Sequence, residues 1–183
     1  MLVLSCSWSA VARIEPPRGR QARPEARLQA PKMWSDRDGA FSLARPAGEG
    51  WRFQGGSHGP DGAPLPLLAL SEDTGAQLIV QNADGVQSLR ALARLLAEHL
   101  GEEQRIHVED PQAIAARGGE AYAFSFTVAD ESRGRVAVVK SGEHVALVIA
   151  SWPLGASASV AEDVEGMIGS LGPVAKAAAP GSY

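Results

Sequence analysis

The residues best equipped for chemistry stand together in Gly55-Gly56-Ser57-His58-Gly59-Pro60-Asp61-Gly62, where serine, histidine and aspartate fall within five positions. A nucleophile, its base and an orienting carboxylate are the parts of a hydrolase. Triad members normally converge from separate rigid elements, and a run this rich in glycine does not hold reacting groups within about 0.5 Å of a productive geometry. The expectation is therefore a loop without a catalytic residue, with a hydrolase built on residues 55–62 as the lesser alternative. The glycines form no phosphate cradle either, because the lysine-serine end of a P-loop is absent.

His107, Glu109 and Asp110 carry metal-ligand chemistry. Residues two apart share one face of a strand, so His107 and Glu109 can face one ion. Two ligands do not close a site, and the expectation is a solvated strand edge with no metal. His144 says nothing by itself, and His99 belongs near a helix end, where positive charge is favoured. Glu102 and Glu103 open an acidic cluster that could attract a basic partner. Trp51 and Trp152-Pro153 fall at strand or loop ends, where an aromatic side chain can anchor an interface or pack at the rim of a core. Trp51, Trp152, Glu102 and Glu103 are thus the candidate partner-binding residues, and the sequence calls for no cofactor.

The elements that must position these residues are those of one domain. The 183 residues are 45% hydrophobic and 21% charged, an ordinary globular composition. No apolar run approaches the roughly 18 residues of a membrane-spanning helix. The formal charge of -4 is unevenly spread: Arg13, Arg18, Arg20, Arg23, Arg27 and Lys32 against Glu15 and Glu25 give +4 over residues 1–32, leaving -8 for the rest. An acidic body repels nucleic acid, so nucleic-acid binding by the domain is not expected. Residues 1–31 read as a basic, proline-rich arm or truncated signal with a linker, 32–174 as the domain, and 175–183 as a loose tail.

Cys6 is the only cysteine. The opening Met1-Leu2-Val3-Leu4-Ser5-Cys6-Ser7 is similar to the end of a bacterial lipoprotein signal, in which a small residue precedes a lipidated cysteine. Five residues before the cysteine are fewer than the apolar stretch of roughly 7 to 15 that such a signal needs. As it stands the sequence predicts a cytoplasmic protein. An upstream start would make it an envelope lipoprotein anchored through Cys6, the one condition under which a membrane would be a partner.

Two helices are predicted. Asp84-Gly85-Val86-Gln87 has the pattern of a capping box opening a helix over 85–100, with Val86, Leu89, Leu92, Ala93, Leu96 and Leu100 on one face and Gly101 as a left-handed stop. Ser159-Val160-Ala161-Glu162 has the same pattern and opens a helix that Gly172-Pro173 ends, with Glu162, Asp163 and Glu165 favourable to its dipole. Strands are predicted at 41–45, 65–70, 76–81 and 104–109. Three more, 121–129, 135–140 and 144–152, are joined by short turns containing glycine and form an antiparallel meander. Tyr122, Phe124, Phe126 and Val128 alternate onto one apolar face that something must cover.

This order of elements resembles the PsbP-like fold. The residues that carry the resemblance are Phe41-Ser42-Leu43-Ala44-Arg45-Pro46 followed by Trp51, Gly118-Gly119-Glu120-Ala121-Tyr122 leading into a strand, and the closing Met167-Ile168-Gly169-Ser170-Leu171; it spans Trp34 to Leu171. It implies an α+β domain with an antiparallel sheet of six to seven strands and helices packed against it. Members of this superfamily include an extrinsic photosystem II subunit, a Ran-binding transport factor, DcrB-like envelope lipoproteins and chaperones of type VI secretion effectors. The resemblance further implies a non-catalytic protein-binding role, as adaptor or chaperone for another bacterial protein. It carries no metal- or Ran-binding residue over to this sequence.

Overall fold

A computed structural model describes residues 32–36, 40–46, 50–55 and 66–174, all within the unit Pro31–Tyr183. Cys6, the Ser57-His58-Asp61 run, the arm and the tail lie outside the described residues.

Period-two alternation makes the sheet. β3 (Trp51–Gly55), β4 (Leu67–Ser71) and β5 (Ala76–Asn82) form one antiparallel run. β8 (Ala121–Val128), β9 (Ser132–Ser141) and β10 (His144–Pro153) form the predicted meander. The two runs join where β5 lies antiparallel to β10, and β6 (Ile106–Val108) closes the far edge against β8. The order is β3-β4-β5-β10-β9-β8-β6, with β7 (Gln112–Ala113) also on β8, giving eight strands among the described residues. A separate pair, β1 (Met33–Ser35) and β2 (Ser42–Ala44), had only its second strand foreseen.

Each face of the sheet has its own cover. Phe124, Phe126, Val136, Val138, Val145 and Leu147 meet α1 (Leu89–Gly101) through Leu89 and Ala93. This is the cover that the aromatic face of β8 requires. On the opposite face Ala121, Ala123, Ala137, Val139, Ala146 and Val148 meet α2 (Ala158–Ser170) through Val164, Met167 and Ile168, with Leu43 from β2 beside them. Small residues on three neighbouring strands let α2 approach closely, because a helix packs nearer to alanine than to leucine.

Both predicted helix starts shift. The N-cap of α1 is Ser88, whose Oγ accepts the Ala91 N–H at 3.2 Å. Asp84 instead accepts the backbone N–H of Val145 at 3.2 Å and pairs with His144 at 3.0 Å, tying the loop before α1 to the start of β10. Gly85 takes a φ of 84°, and the chain turns there instead of starting a helix. Gly101 is no left-handed stop: it is the last helical residue, and Glu102 follows in right-handed geometry. The N-cap of α2 is Ser157, so Ser159 and Glu162 are already helical and form no capping box. The stop at the other end stands, with the helix ending at Ser170 before Gly172-Pro173.

The meander turns also differ. Glycine supplies the second turn, where Gly142 has a φ of 63°. The first turn runs through Ala129 at a φ of 39°, while Gly134 lies inside β9 opposite Phe126. A Cβ at Gly134 would overlap the Phe126 ring, so the glycine is there to seat an aromatic.

Candidate functional site

Two surfaces gather the candidate side chains, one left free by the fold and one that helps to hold it together. The first is the outward face of α1. Leu95 is 62% exposed, the most exposed large apolar side chain among the described residues, and it stands beside Arg90 and Arg94. Neither arginine has an ion-pair partner among the described residues, although Glu98 follows Arg94 by one turn. A cleft of about 780 Å³ separates this helix from β6 and the segment to β7, with Arg90, Arg94 and Glu98 on one wall and His107, Glu109 and Asp110 on the other. β6 and β7 are two parts of one irregular edge: four steps from Val108 to Gln112 face three from Phe126 to Ala123 on β8. The extra residue is a bulge next to Pro111, which bends the edge away from further strand pairing.

The second surface is one end of the sheet under α2. The register Trp51↔Ser71, Ser71↔Ala76 and Gln77↔Ser151 brings Trp51 and Trp152 to the same end, and both pack partly buried against the α2-side core. The Trp51 Nε1–H donates to Asp163 Oδ2 at 2.9 Å, pinning edge strand β3 to the helix. Arg135 Nε lies 2.8 Å from Glu165 Oε1 but off the hydrogen-bonding direction, so that contact is Coulombic, while Nη1 donates to Ser125 Oγ at 3.0 Å. Two of the three acidic residues of α2, Asp163 and Glu165, therefore fasten the helix to the sheet. None lies in its first turn, which removes the dipole role expected for them.

The structure thus places Trp51 and Trp152 at one end of the sheet, three strand spacings apart, and leaves Glu102 and Glu103 in the turn between α1 and β6. Glu102 contacts His99 at 3.4 Å, with both side chains exposed. His107 is exposed on β6 opposite Thr127, and no set of three metal-ligating side chains converges among the described residues. At Asp84 burial raises the pKa, but hydrogen bonds from His144, the Val145 N–H and Asn82, with the His144 charge, outweigh burial and hold it below its ordinary value.

Sequence reasoning missed the α1 face. Arg90 and Arg94 lie on the polar side of the predicted helix, and Leu95 falls outside its apolar stripe. Its position off that stripe was the available signal, since a leucine there has no core to enter.

No protein-family model matches the chain, and no curated protein matches its sequence. Solved structures do match. An eight-stranded antiparallel sheet with a helix on each face defines an α+β protein of one layered class, and particular structures share it. Cyanobacterial PsbP (CyanoP) from Synechocystis sp. PCC 6803 is similar with a TM-score of 0.54 at 14% identity, over 85% of this chain and 100% of that one. The Ran-binding protein Mog1p of Saccharomyces cerevisiae is similar with a TM-score of 0.51 at 15% identity, over 78% of this chain and 94% of that one. The fold is PsbP-like, as the resemblance implied.

Proposed function

We propose that this chain is a non-catalytic protein-binding module, serving as adaptor or chaperone for another protein. The observation that carries the reading is the α1 face: an exposed leucine flanked by two arginines that have no ion-pair partner among the described residues, bordering a cleft with charges of both signs. An apolar anchor inside a polar rim is the anatomy of an interface hot spot, and mixed charges set a partner's register more than its raw affinity. The Ran-binding role named for Mog1p supports the reading by showing one use of this fold, although fold alone does not choose a partner.

The test is capture of partners from native lysate by the full chain and by a variant combining Leu95→Asp, Arg90→Glu and Arg94→Glu, after confirming equal melting temperatures. A stoichiometric partner held by the wild type and lost by the variant supports the proposal. A partner held equally by both, or by neither, overturns it.

A second reading concerns location. Were an upstream start to complete the signal that Leu2-Val3-Leu4-Ser5-Cys6 resembles, the chain would be tethered through a lipidated Cys6, with the arginine- and proline-rich arm as spacer. An intact Met1 and an unmodified Cys6 in the mass of the native protein would remove that reading and leave the cytoplasmic one.

A further inference from the structure

Under the N-terminal half of α2 lies a groove of about 410 Å³, within the range that holds small molecules. Its floor is a cross-strand row. Thr127 pairs with Arg133 and Arg133 with Trp152, so three hydrogen-bond donors stand on β8, β9 and β10 at strand spacings of about 5 Å. All three point to this face, because Ala123, Ala137 and Ala150, an even number of residues away on the same strands, belong to the α2-side core. Among the described residues the Thr127 hydroxyl, the Arg133 guanidinium and the Trp152 indole N–H have no hydrogen-bond or ion-pair partner. Arg135 differs, since Glu165 balances its charge and Ser125 takes one of its N–H groups.

The opposite end of the groove is acidic. Glu109 leaves β6 with its backbone N–H on the Ser125 carbonyl at 2.9 Å, and its carboxylate has no ion pair among the described residues. The charges lining the groove are Arg133, Arg135, Glu109 and Glu165, which cancel. A simple anion would gain at Arg133 what it loses at Glu109, whereas a ligand with opposite charges at its two ends gains at both. Glu109 lies opposite Ser125, whose partner is Arg135, so two strand spacings across and two residues along the strand part the backbones of Glu109 and Arg133 by about 12 Å, a gap that the two side chains and the ligand close together.

We propose that this groove binds a small ω-amino carboxylate. Arg133 holds the carboxylate, with the Thr127 hydroxyl and the Trp152 indole N–H in reach, the aliphatic chain crosses β8, and Glu109 meets the ammonium group. This site lies on the other face of the sheet from α1 and shares only Glu109 with the cleft beside that helix, so its test does not depend on the protein-binding reading.

The test uses the full chain labelled with nitrogen-15, following the Trp152 indole signal during titration with ε-aminocaproate, caproate, n-hexylamine and inorganic phosphate. The expected result is a saturable shift with ε-aminocaproate, and binding of the other three at least about tenfold weaker. Arg133→Gln should erase the preference over n-hexylamine, and Glu109→Gln the preference over caproate. Both side chains are unpaired among the described residues, so the variants should melt with the wild type. No shift with ε-aminocaproate, equal affinity for all four probes, phosphate binding as tightly, or unchanged preferences in the two variants would each overturn the proposal.

Discussion

At Asp84 the backbone N–H of Val145, the Asn82 amide and the His144 ring converge on one carboxylate. Because these contacts lower its pKa in the folded chain, the folded state prefers the ionised form. The stability this group contributes is fully present above the ordinary carboxylate value of about 4 and is lost as pH falls through the lowered folded value. Asp84→Asn should lower the melting temperature at neutral pH, and the gap to the wild type should close as pH approaches about 2. Thermal melts across that range check it; a gap that stays constant would refute the assignment. Glycines give a second prediction at this scale. A Cβ at Gly118 would overlap the Lys140 carbonyl oxygen, so Gly118→Ala should cost about 3 kcal/mol. A Cβ at Gly166 in α2 would enter open space, so Gly166→Ala should stabilise by about 0.5–1 kcal/mol. Denaturant midpoints separate the two.

Between elements the work falls to a few long side chains. The Arg117 guanidinium donates to the Ser170 and Gly172 carbonyls and to the carbonyl and hydroxyl oxygens of Ser42, joining β2, the segment before β8 and the end of α2. Its charge also suits the negative end of the helix. Arg117→Ala should cost about 2 kcal/mol, and Arg117→Lys should not restore it, because one ammonium cannot reach a fan of acceptors. Trp51→Phe should cost about 1 kcal/mol through the lost Asp163 bond. Equilibrium unfolding measures both. The same elements show how far the sequence could be read. The strands of the meander and the apolar stripe of α1 were legible because burial writes a period into the residues. Helix starts were not, since Asp84 and Ser159 have the composition of caps, and only long-range contacts show which serine is used. Of the candidate site, Trp51 and Trp152 were visible as aromatics at element ends, but their shared row rests on the pairing of β5 with β10. Arg117 was unreadable, for its acceptors lie in two segments distant from it in sequence, at Ser42 and at 170–173.

Taken whole, the molecule has two cores that share a single sheet, so neither can melt while the other stays. Phe124→Ala on the α1 side should cost about 3–5 kcal/mol and Ile168→Ala on the α2 side about 2–5 kcal/mol. Each should lower one common transition seen alike by circular dichroism and tryptophan fluorescence; two separate transitions would show that the faces unfold apart. The central β5–β10 pairing also has a meaning in time. Synthesis delivers β3, β4 and β5 well before β10, and at about 5–20 residues per second the wait lasts seconds. Throughout it Leu78 and Val80, fully buried in the finished fold, lie on a strand whose inner edge has no neighbour. The newborn chain is therefore sticky along one line until His144–Pro153 has left the ribosome, and the face that carries Leu78 and Val80 stays bare a little longer, until α2 follows to cover it.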